Sequence, residues 1–144
     1  VRVYYYAKIM DRSMWSTIKA MMEQKWTIDT SCPFIDRGLS LWNDIPCVPS
    51  RYDLIFIHVH TLTLKEIEDF WSNLEDTDKK KVVFLDFDDR AILKPGMKKM
   101  GQEAKVYMKT TWMQGLPKNF HPFRYCILKD YLPKKEYKKK YDIV

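Results

Sequence analysis

An uninterrupted apolar run that ends in a cluster of carboxylates, residues 80–90 (KKVVFLDFDDR), is the feature that most narrows the folds open to this chain. A strand wetted on one face alternates polar and apolar residues. Val82-Val83-Phe84-Leu85 offers water no face at all, which predicts a strand buried on both sides of a parallel sheet. Open parallel sheets hold ligands beyond the carboxyl ends of their strands. Asp86, Asp88, Asp89 and Arg90 fall at such an end.

Other segments supply the rest of a sheet. Residues 2–7, with valine and three tyrosines, residues 52–60 (YDLIFIHVH) and residues 105–109 have strand composition, residues 26–31 read as a weaker strand, and residues 125–128 as a last one. Between them, Ser13 opens a helix whose apolar positions Met14, Trp15, Ile18, Met21 and Met22 form one stripe. Thr63 and Glu66 make a capping box for a second helix that buries Leu64, Ile67, Phe70, Trp71 and Leu74. Pro95, Gly96 and Gly101 leave room for one short helix before residue 105. Residues 33–50, with Pro33, Gly38, Pro46 and Pro49, read as a long loop that contacts an acceptor or a partner domain. The alternation predicts an α/β, Rossmann-like layered domain over residues 1–132, with a mostly parallel sheet of about five strands flanked by helices. Residues 133–144 read as a lysine-rich linker or the start of a second domain.

A chain of 144 residues, 46% hydrophobic and 31% charged, has material for a single core. No apolar stretch approaches the roughly 20 residues of a membrane span, and VRVYYYAKIMD lacks the long apolar segment of a signal peptide, so a cytoplasmic domain is expected. Cys32, Cys47 and Cys126 are too few and too scattered for a disulfide framework or a zinc motif and are expected to be free thiols. The net charge of +6 raises nucleic acid as a partner, but the last sixteen residues carry six lysines against Asp130, Glu136 and Asp142, half of that excess. A short lysine-rich terminus suits a solvated linker, and nucleic-acid binding is not expected.

A parallel sheet would gather residues 8–13, His58, His60, residues 86–90 and Lys109 at its carboxyl edge, which makes His58, Asp86, Asp89, Arg90 and Lys109 candidate binding groups. The alternating aspartates have the oxygen chemistry of a divalent-cation site, but strand-end aspartates more often cap the turn that follows, and no metal is expected. His58 and His60 share one face by period two and could act as base or as structural hydrogen-bonding groups. After the first strand the chain reads AKIMDRS without glycine, so neither a dinucleotide fingerprint nor a phosphate loop is present and no cofactor is expected. VVFLDFDDR also resembles the first motif of haloacid-dehalogenase-type phosphatases. That motif needs threonine or valine where Arg90 stands and opens its domain, whereas two strands precede it here.

The order of segments DLIFIHVH, KKVVFLDFDDR, AKVYMKTTW, NFHPFRYCI and a charged linker into YDIV resembles the N-terminal half of certain bacterial and viral glycosyltransferases of the GT-B fold, over residues 52–144. Thr110 replaces an arginine of that pattern, and Phe123-Arg124 stands where a second proline is usual after His121-Pro122. The resemblance implies an acceptor-side domain that is inactive alone and works with a second domain holding a nucleotide-sugar donor. An acceptor glycan or other hydroxyl compound would be the partner substrate, and His60 or Asp88 the catalytic base. The alternative expectation is a stand-alone flavodoxin- or receiver-like binding module without catalysis.

Overall fold

The structure, a computed structural model, describes residues 1–9, 12–32, 34–36, 39–41, 45–88, 90–111 and 115–122. In chain order the elements are β1 (Arg2–Tyr6), α1 (Arg12–Glu23), β2 (Thr27–Thr30), β3 (Phe34–Asp36), β4 (Leu39–Leu41), a 3-10 turn (Pro49–Arg51), β5 (Leu54–His58), α2 (Leu64–Ser72), α3 (Asp76–Lys79), β6 (Val82–Asp86), α4 (Met97–Glu103), β7 (Val106–Lys109) and β8 (Phe120–Pro122). Six of the strands form one sheet in the order β2-β1-β5-β6-β7-β8, and every neighbouring pair is parallel. The fold is therefore the Rossmann-like α/β layout that the sequence predicts.

Burial on both faces explains the missing polar alternation. Along β1, Val3 and Tyr5 join one core layer with Phe56, Val83, Leu85 and the α1 residues Met14, Ile18 and Met21. Tyr4 joins the opposite layer with Ile55, Ile57, Val82, Phe84 and Tyr107, which α2 and α4 cover with Ile67, Trp71, Met97 and Met100. Each strand thus feeds two cores with alternate side chains, and all five residues of β6 are buried.

The helices begin and end where local chemistry allows. Thr63 accepts the Glu66 amide while the Glu66 carboxylate accepts the Thr63 amide, the reciprocal capping box read from the sequence. At the far end of α1, the Trp26 amide reaches back to the Met21 carbonyl and the Lys25 amide to the Met22 carbonyl, which holds Lys25 in the left-handed region at φ 59°. Gly101 is needed in α4 for close approach. A Cβ there would stand 2.5 Å from Phe120 Cζ and 2.8 Å from Tyr107 Cδ2, two rings stacked at 4.5 Å.

Two expectations change. Residues 33–50 are not loop throughout, because β3 and β4 pair antiparallel within them, Phe34 opposite Leu41. Strands of three residues are too short for periodicity to register. The sheet has a sixth strand at Phe120–Pro122, parallel to β7 and outermost among the described residues, a position at which proline is tolerated. Residues 125–128 and 133–144 lie outside the described residues.

Sheet coverage is uneven. Beside α1 an apolar groove of about 390 Å³ is floored by Leu54, Phe56, Val83, Val106 and Met108. Trp26, Leu54 and Lys105 place it toward the amino ends of the strands, away from the edge that gathers the candidate site. No helix among the described residues is long and apolar enough to cross a membrane.

Candidate functional site at the carboxyl edge

The chain steps from β1 outward to β2 and then returns to the other side of β1 as β5, so the direction of winding reverses between β1 and β5. Such a switch point parts the loops above it and leaves a crevice. Ala7 and Lys8 follow β1 there, and Val59, His60 and Thr61 follow β5. The Lys8 amide donates to Thr61 Oγ1 at 3.4 Å, and Lys8 Nζ reaches Glu66 Oε1 at 2.9 Å. That lysine, together with the capping bonds from Thr63, holds the Glu66 carboxyl well below the usual range, at about 2.

His58 and His60 separate sharply. His58 ends β5 fully buried, with Nδ1 3.2 Å from the Tyr5 hydroxyl and its ring 4.8 Å from Phe87. His60 is exposed two residues later, its ring centre 6.5 Å from that of His58. One histidine packs with the core layer under α1; the other faces solvent on the turn after β5.

The acidic strand end is also layered by depth. Asp86 and Lys109 are 3% and 2% exposed. The Asp86 carboxylate accepts the Tyr107 hydroxyl at 2.7 Å, the Lys109 ammonium at 3.3 Å and the Asp88 amide at 3.0 Å. Burial first, then the Asp86 charge, pushes the Tyr107 hydroxyl far above its ordinary range, so it stays a proton donor. Lys109 also donates to the Asp88 carbonyl at 2.9 Å, and Thr110 Oγ1 donates to the same oxygen. The buried network therefore fixes the backbone of Asp88 from below.

Asp88 itself carries Arg90. Arg90 Nε donates to both carboxylate oxygens at 3.0 Å and Nη2 to Oδ2 at 2.6 Å, while the Arg90 amide closes a turn on Oδ1. The guanidinium holds the Asp88 carboxyl far below the usual range. A carboxylate so firmly ionised is a weak proton acceptor and suits the orienting of Arg90, whose side chain is 71% exposed.

Of the seven residues singled out in the sequence, the structure leaves His60 and Arg90 open to solvent, half-buries Asp88, and buries His58, Asp86 and Lys109. Asp89 lies outside the described residues. Among the described residues no group of three or more histidine, cysteine or acidic side chains is placed to hold a metal ion. Lys94 was missed: its ammonium donates to the Val59 carbonyl at 2.8 Å and the Leu62 carbonyl at 2.7 Å, on either side of His60. A lysine between leucine and proline carries no motif that would mark it. No protein-family model, curated protein or solved structure matches the chain.

Proposed function

We propose that this domain is the acceptor-side half of a sugar transferase that moves a glycosyl group from a nucleotide-sugar donor, held by a second domain, to an acceptor hydroxyl. The observation that carries the reading is the position of His60: an exposed imidazole on the turn after β5, at the winding reversal of the sheet. Imidazole is the side chain suited to taking a proton near neutral pH. His60 removes the acceptor hydroxyl proton as that oxygen bonds to the anomeric carbon, and the bond from that carbon to the donor phosphate breaks to release the nucleoside diphosphate. Arg90, paired with Asp88, and Lys8, paired with Glu66, place cationic donors along the same edge.

The test is nucleoside diphosphate release from a panel of UDP-, GDP- and ADP-sugars with mixed glycan acceptors, using the domain together with its donor-binding partner domain. His60→Ala is expected to lower transfer about 100-fold or more, the ordinary contribution of a general base. Transfer unchanged in His60→Ala removes the assignment. A second reading, a binding module without turnover, is favoured by strand order: β2-β1-β5-β6-β7 is the 2-1-3-4-5 order of flavodoxin-like domains. Ligand-induced amide shifts around residues 59–62 without any diphosphate release would select it.

A further inference from the structure

We infer that Lys94 is a positioning residue for His60, a role that rests on the transferase reading for its consequence in catalysis but not for its geometry. The His60 turn has few anchors of its own. The Val59 amide continues the ladder to the Leu85 carbonyl, and Thr61 Oγ1 donates to the His58 carbonyl at the long distance of 3.4 Å. The strong contacts come from outside the turn. Lys94, in the segment between β6 and α4, places one ammonium against two carbonyls, Val59 and Leu62, that bracket His60. Both bonds are charge-assisted and short, and the lysine is partly withdrawn from water.

Burial pushes the Lys94 ammonium below its ordinary range, an effect that the charges of Asp86, Asp88 and Glu66 partly offset and that of Arg90 adds to. Two carbonyls of the histidine turn therefore hold the half-buried ammonium in place. Leu93 beside it packs against the core layer of α2 and α4, which fixes the backbone from which the lysine reaches. No other described side chain donates to both sides of the turn.

The experiment is Lys94→Met, which keeps chain length and removes the donors, with Lys94→Arg as the conservative rescue. Amide hydrogen exchange and the His60 ring resonances are read first, then kcat and KM for transfer. Expected are exchange at residues 59–62 about tenfold faster, unchanged exchange in α1, a shifted His60 ring signal, and a fall in kcat with KM for the donor preserved, all partly restored by Lys94→Arg. Should Lys94→Met not fold, Lys94→Gln, which retains one donor group, carries the same readouts. Unaltered exchange and ring signals in the variant overturn the inference, as does a loosened turn with kcat intact. A native protein that transfers no sugar sinks the transferase reading instead, and the exchange data then decide alone whether Lys94 holds the turn.

Discussion

Removing one member of the Asp86–Lys109 pair should cost far more than removing both. At 3.3 Å and an effective dielectric of about 20, the two charges attract by about 5 kcal/mol. That attraction is largely spent against the loss of hydration by two ions that are almost wholly buried. Asp86→Asn keeps one oxygen for the Tyr107 hydroxyl and the Lys109 ammonium but removes the charge that compensates the buried ammonium and turns an NH2 toward the Asp88 amide. The expected loss is about 3–5 kcal/mol. Lys109→Met should cost less, about 2–4 kcal/mol, because Asp86 retains the Tyr107 hydroxyl and the Asp88 amide. The double variant, with no buried charge, should lose only about 1–2 kcal/mol. Urea unfolding followed by tryptophan fluorescence measures all three, with the slope on denaturant held constant as the check on two-state behaviour. A double variant whose loss equals the sum of the singles would refute the reasoning, as would a loss below about 1 kcal/mol for Asp86→Asn.

Three further outcomes are expected. Glu66, with its folded-state value held at about 2 by Lys8 and the capping bonds, contributes stability that is fully present above its ordinary titration range near 4.5 and is lost as pH falls toward 2. Glu66→Gln should flatten the acid limb of the stability curve between those values, and a limb of unchanged slope counts against the assignment. Gly101→Ala places a methyl against the Tyr107 and Phe120 rings and should destabilise by about 1–2 kcal/mol, overpacking outweighing the gain in helix propensity; thermal melting at or above the native midpoint would contradict this. Burial pushes the Cys47 thiol up to about 12, so only about one in ten thousand is thiolate at pH 8, and a disulfide reagent such as DTNB should label it far more slowly than free cysteine.

The longer strands were legible because they depend on residue type alone, whereas the three-residue β3, β4 and β8 were not. VVFLD and LIFIH have no polar alternation, a pattern only a two-sided core allows, and both are central strands. The Thr63–Glu66 box was legible because its two bonds join residues three apart. Depth at the carboxyl edge was not. His58 and His60 are two residues apart with identical chemistry, yet the strand ends between them, and the neighbours that bury the first, Tyr5 and Phe87, come from distant segments. Asp86 and Asp88 differ in the same way: Tyr107 and Lys109 of the neighbouring strand close over one, while Arg90 reaches the other from solvent. The β3–β4 hairpin escaped notice because three residues complete barely one period of strand alternation.

The place of β1 between β2 and β5 also sets the order in which the protein can be built. Val3 to Tyr6 pair with Leu54 to Ile57, segments about 50 residues apart. At a ribosomal rate of about 5–20 residues per second, the strand RVYYY emerges about 3–10 seconds before its inner partner exists. Through that interval β1 can pair with β2, which follows at short range, but the α2 side of the pair has nothing to lie against. A nascent chain arrested before residue 54 should therefore be a strong client for holdase chaperones, and release from them should coincide with the synthesis of LIFIH.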